Sequence, residues 1–277
     1  MTPSPTNQPI GVFDSGFGGL TVLKEIIAEL PDYDYLYLGD NARAPYGPRS
    51  FETVYEYTLE CVKHLFDKGC PLVVLACNTA SAKALRTIQQ KDLPLLAPTK
   101  RVLGVIRPTT EIIGKYSKTG HVGVLGTNGT VSSDSYPVEI HHFYPHLQVH
   151  QQACPMWVPL IENNEFNNAG AEYFIKKDTQ LLMAQDPSID AVILGCTHYP
   201  LIEDQIRKHL GSNITLISQG KIVAKSLRDY LNRHPEMDAH CSKSKTVRFY
   251  TTDLPETFDK AATLFYGKEV KSEHLAL

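Results

Sequence analysis

The chain has 277 residues, 42% of them hydrophobic and 21% charged, with 18 glycines, 18 prolines and a formal net charge of −3. That length buries a sizeable core in one large or two ordinary domains, and the composition excludes a disordered or fibrous chain. The near-neutral charge leaves no electrostatic footprint for nucleic acid or an anionic membrane, so the expected partner is a small-molecule substrate.

The start, "MTPSPTNQP", has neither the basic region nor the apolar stretch of a signal peptide, and no apolar run approaches the ~20 residues needed to cross a bilayer. A cytoplasmic location is therefore expected. Short apolar runs then alternate with helical patterns. The runs at 9–13, 33–38, 71–76, 102–106, 121–126, 190–195 and 214–217 are the strand candidates, and a last strand and helix follow the polar stretch 232–245. Between the first two, "LTVLKEIIAEL" (20–30) keeps Leu20, Leu23, Ile27 and Leu30 on one helical face before Pro31. The runs at 72–76 and 191–194 are apolar without alternation, as expected of parallel strands covered by helices on both faces. The fold class is α/β, with mainly parallel sheets. Strand, loop and helix recur around two cysteines, which suggests two similar α/β domains. The segment 89–101, with its prolines and charges, is a domain crossing.

Six cysteines, Cys61, Cys70, Cys77, Cys154, Cys196 and Cys241, are expected to stay thiols in a reducing compartment, and none forms a C-x-x-C pair. Two have distinctive surroundings. "LACNTAS" (75–81) and "LGCTHYP" (194–200) each place a cysteine where an apolar run stops and a helical pattern begins. Backbone N–H groups at a helix start favour negative charge, and Asn78 can cap the helix that follows Cys77. Pro200 suits the first turn of a helix presenting Ile202, Ile206 and Leu210. A thiol so placed, its pKa brought from about 8.5 towards neutral, can act as nucleophile or as base. A one-cysteine hydrolase leaves the second thiol without a role. A paired reading uses both: one thiolate removes a proton from one face of a carbon, and the other thiol returns one to the opposite face. Asp14 and His198 stand ready to tune those protons. The other four cysteines read as core.

"DSGFGG" (14–19) is not a dinucleotide loop, because Thr21 replaces its third glycine and Asp14 would repel phosphate. The histidines of "HHFYPHLQVH" (141–150) have no acidic or thiol partner spaced to complete a shell, so no metal is expected, and Trp157 reads as packing.

The segments "GVFDSGFGGLTVL" (11–23), "YLGDNARAPYG" (37–47), "ACNTAS" (76–81), "GTNGTVSSDSY" (126–136), "ACPMWVPLIE" (153–162) and "GCTHYPLI" (195–202) together resemble the glutamate racemases, over nearly the whole chain to residue 267. The resemblance implies an isomerase that interconverts L- and D-glutamate without cofactor or metal and supplies D-glutamate for peptidoglycan. It implies that Cys77 and Cys196 are the acid/base catalysts, assisted by Asp14 and His198, with Glu162 orienting the histidine. Ser15, Tyr46, Gly47, Asn78, Thr79, Thr127, Thr130 and Thr197 would hold the substrate's carboxylates and amine, and Asp14 and His198 would also touch it. It further implies two domains facing each other across the site, 1–98 plus 213–277 and 99–212, and a homodimer. Two positions depart from the family's pattern: "GVIRPTT" (104–110) lacks a small residue such as glycine after its proline, and "SQG" (218–220) stands where an acidic residue often follows the strand.

Overall fold

The computed structural model describes residues 8–277; the N-terminal stretch read above for a signal peptide lies outside them up to residue 7. Among the described residues ten strands form two sheets in which every pairing is parallel. The strands are β1 (Ile10–Asp14), β2 (Tyr35–Gly39), β3 (Leu72–Leu75), β4 (Arg101–Gly104), β5 (His121–Gly126), β6 (Gln148–Ala153), β7 (Ala191–Gly195), β8 (Thr215–Ile217), β9 (Val247–Thr251) and β10 (Ser272–His274). The six-stranded sheet runs β10-β9-β2-β1-β3-β4, and the four-stranded sheet runs β6-β5-β7-β8.

Strands β1, β2, β3 and β7 are buried along their whole length, and β5 along all but its first residue. Helices shield both faces of each sheet, which is why these strands read as unbroken apolar runs. Edge strands behave differently. The β6 sequence, QVHQQA, is half-buried and mostly polar, so no apolar run announced it; β10, with two exposed residues of three, went equally unannounced. The crossing segment 89–101 is not a bare linker: it carries the short helical pieces Ile88–Asp92 and Leu93–Leu96. Strand β4 begins after residue 98 yet pairs with β3, and β8 begins after 213 yet pairs with β7. The chain thus changes sheets several residues later than the resemblance implied.

Helix Leu20–Glu29 buries Leu20, Leu23 and Ile26 and packs against helix Gly220–Arg233. All six cysteines are free and buried. Trp157 is core, with its ring 4.8 Å from that of Tyr199. Among the described residues no helix is long and apolar enough to cross a membrane.

Candidate active site

In each sheet the chain reverses its direction of travel at one place: between β1 and β3 in the larger sheet, and between β5 and β7 in the smaller. Loops leaving the carboxyl ends of two such strands part to opposite faces and open a crevice between them. The four loops concerned are "DSGFGG", "ACNTAS", "GTNGT" and "GCTHYP". One small cavity of about 130 Å³ is lined from all four, by Ser15, by Cys77, Asn78 and Thr79, by Thr127, and by Cys196, Thr197 and His198. Tyr46, Gly47 and Glu162 also line it. That volume suits an amino-acid-sized molecule and falls below the ~300–1,000 Å³ of drug-sized sites. A larger cavity of about 590 Å³, bordered by Ser81, Arg86, Arg107 and Arg233, contains none of the expected site residues.

Cys77 itself caps helix Asn78–Lys83, its Sγ accepting from the Ala80 N–H at 3.4 Å. The cap assigned to Asn78 from sequence therefore falls one residue earlier. Asn78 is free of that duty because its side chain is spent in the core: its amide donates to Gln219 at 2.8 Å and its oxygen accepts from the Tyr136 hydroxyl at 2.7 Å. The Cys77 sulfur also lies 3.3 Å from Ser15 Oγ. Burial, then the nearby Asp14, push this thiol up to about 12, against the smaller opposite pull of Ser15 and the Ala80 N–H. The expected drift towards neutral does not occur at Cys77, because desolvation outweighs a short helix end.

The Cys196 side is built differently. Its Sγ lies 3.8 Å from His198 Nδ1, and His198 Nε2 lies 2.9 Å from Glu162 Oε1. Burial alone would lower the imidazole, but the thiol and the carboxylate outweigh it and push His198 up to about 10. Asp14, fully buried, is raised by desolvation; His198 and the N–H groups of Gly19 and Gly16 oppose that. Thr197 Oγ1 donates to Asp14 Oδ2 at 3.4 Å, which joins the first loop to the last.

Gly18 shows how close that junction is. A Cβ there would sit 2.2 Å from Thr197 Oγ1 and 2.5 Å from His198 Nδ1. This glycine lets the first loop approach the last.

Three hydroxyls bridge the sheets on the remaining side. Thr79 Oγ1 lies 2.9 Å from Thr127 Oγ1 and 3.5 Å from Thr130 Oγ1, and Thr127 Oγ1 also accepts from the Thr130 N–H at 3.2 Å, capping its own helix. Thr130 is fully buried beneath this pair. Gly47 presses against Thr127, since a Cβ on it would meet that side chain at 3.1 Å. The Tyr46 ring is buried in the wall, and its hydroxyl donates to Asp40, which also pairs with Arg43 at 2.7 Å. Tyr46 thus offers the cavity a ring rather than a hydroxyl.

Sequence reasoning passed over Cys154 and Gln219. Cys154, left to the core, lines the cavity with Pro155, Val158 and Pro159; its place in "ACPMWVPLIE" was the available signal. Gln219 is a buried hub, accepting from Asn78 and donating to the Val105 carbonyl at 3.0 Å, Thr109 Oγ1 at 3.1 Å and the Tyr136 hydroxyl at 2.9 Å. The two departures noted above, Thr109 after its proline and Gln219 after β8, are thereby partners in one hydrogen bond.

Fold and site together define a parallel α/β enzyme whose cleft is lined by a thiol from each sheet. The sequence model described as Asp/Glu/Hydantoin racemase matches residues 10–227. A glutamate racemase of Streptococcus suis is 39% identical over 98% of this chain and 99% of its own. Among solved structures, a glutamate racemase of Bacillus anthracis matches with a TM-score of 0.88 at 37% identity, and one of Francisella tularensis in complex with D-glutamate matches with 0.86 at 33%, each over 98% of both chains. The chain belongs to the Asp/Glu/Hydantoin racemase family and is an isomerase.

Proposed function

We propose that the protein interconverts L- and D-glutamate by cofactor-independent, two-thiol acid/base chemistry, and that its D-glutamate serves peptidoglycan synthesis. The observation that carries this reading is that two thiols, each at the carboxyl end of a central strand of a different sheet, line one cavity of amino-acid size. The thiolate on one side takes the α-proton, and the electron pair left behind is delocalised into the α-carboxylate. The thiol on the other side delivers its own proton to the opposite face. The carbon inverts, and the two sulfurs exchange protonation states, so the enzyme that releases one isomer is in the form that accepts it back.

Cys77, held as a thiol by burial, is the resting proton donor. His198 is placed to take or return the proton of Cys196, with Glu162 fixing its ring. Ser15, the Gly47 and Asn78 backbone, Thr79, Thr127 and Thr197 supply neutral hydrogen-bonding groups, which hold carboxylates without a cation that would trap a thiolate. Thr130 supports this set from beneath, and Asp14, buried behind the cavity wall, acts on it through the Thr197 hydroxyl that donates to its carboxylate. The two sheets are the centres of two domains: the first takes the chain to Gly104 and again from helix Gly220–Arg233, and the second takes the part between.

The test follows the α-proton by NMR in deuterated water, with L-glutamate, D-glutamate and L-aspartate in turn. Both glutamate isomers exchange and invert in the native enzyme, and Cys77→Ala and Cys196→Ala each slow inversion by at least ~10³-fold. Inversion persisting in either variant, or aspartate turning over faster than glutamate, overturns the proposal. The cellular role is checked by depleting the protein: growth then depends on added D-glutamate.

A further inference from the structure

Three ligand-type side chains meet well away from the catalytic loops. His121 opens β5. In the parallel register Gly123 stands opposite His150 of β6, so the two histidines are diagonal neighbours on one face. Asp186, immediately after helix Ala169–Gln185, reaches both. Its Oδ2 lies 3.1 Å from His121 Nδ1 and 3.8 Å from His150 Nε2, and those two nitrogens are 3.4 Å apart.

These separations have a plain geometric meaning. Tetrahedral zinc with bonds of about 2.0–2.1 Å keeps its ligand atoms about 3.3–3.4 Å from one another. The three observed distances bracket that value, so one ion fits between the three atoms with only small side-chain shifts. The carboxylate is also oriented for the task, because its Oδ1 accepts from the Ser188 N–H at 2.7 Å and Oδ2 is left to face the imidazoles. All three side chains are partly exposed, which leaves a fourth position open to water.

We propose that His121, His150 and Asp186 form a binding site for a divalent transition-metal ion of the zinc type. Two imidazoles and one carboxylate suit such an ion and do not suit magnesium or calcium, which take oxygen shells. The site lies towards the amino ends of β5 and β6, about 16 Å along β5 from the catalytic loop at Gly126. Its role is structural: a bound ion ties the polar edge strand β6 to its neighbour and to the end of the long helix.

The test uses the full chain, with Co²⁺ as a spectroscopic probe and Zn²⁺ followed by calorimetry. One ion binds per chain, with tetrahedral cobalt d–d bands and no thiolate-to-cobalt charge-transfer band. His121→Gln, His150→Gln and the volume-conserving Asp186→Asn each weaken binding at least about 100-fold. Zn²⁺ raises the melting temperature of the native protein but not of the variants. Absence of binding overturns the proposal, and so does unchanged binding in Asp186→Asn. A thiolate band, which places the ion on the catalytic cysteines, does the same. Any of these leaves the trio as an ordinary histidine–carboxylate cluster.

Discussion

The two thiols occupy matching positions in two sheets yet live in opposite surroundings. Cys77 has one hydroxyl, one backbone N–H and a buried carboxylate nearby, and burial keeps its proton on. Cys196 has an imidazole held by a second carboxylate, a relay that can carry a proton towards the more exposed Glu162. An inversion catalyst needs an acid and a base at the same moment. In the proposed mechanism identical surroundings would give the two thiols no means of differing, whereas here burial holds the Cys77 proton and an imidazole stands beside Cys196.

Short of removing a thiol, the largest expected effect comes from forcing the two sides apart. Gly18→Ala places a methyl against Thr197 and His198, so the last loop must retreat; inversion falls about 100-fold, as for a 1 Å misplacement of reacting groups. An unaltered rate would mean that the loops are not held in register by this contact. Next is Gln219→Leu, which strips Asn78 and Tyr136 of a buried partner and costs roughly 1–3 kcal/mol of stability. Thermal unfolding reads this as a drop of about 2–10 °C, with turnover falling less.

Glu162→Gln sharpens the comparison from the Cys196 side. His198 carries its proton through neutral pH because its pKa is about 10. Removing one of the groups that raise it moves the alkaline limb of the rate profile to lower pH, with about a tenfold loss at neutrality. The same raised value makes a stability statement. The stabilisation is complete below the unfolded imidazole pKa of about 6.5 and is lost as pH rises through about 10, so the native protein loses more thermal stability over that interval than Glu162→Gln does. A profile unmoved by the substitution would remove the relay from the scheme. Smallest is Ser15→Ala, which deletes one weak contact to Cys77 and slows turnover about fivefold with no displacement of the pH limb.

Much of this was legible beforehand. Central strands are covered on both faces, so their burial requirement is written as runs of Val, Leu and Ile, and the loops that follow them carry the site. What could not be read were features that depend on a neighbour. Strand β6 is an edge whose polar residues satisfy no periodicity. Cys154 lines the cavity only because its loop folds over it. Tyr46 and Asn78 line the cavity as expected of their motifs, but that Asp40 takes the tyrosine's hydroxyl and that Gln219 and Tyr136 take the asparagine's amide was not readable.

By itself the sequence determined the α/β class, the central strands and the thiol pair, because apolar runs and strand-end motifs are local properties of the chain. Only the tertiary structure decided the raised Cys77 thiol, the Gln219 hub and the meeting of His121, His150 and Asp186. Desolvation and the distance between side chains remote in sequence exist only once the sheets have packed.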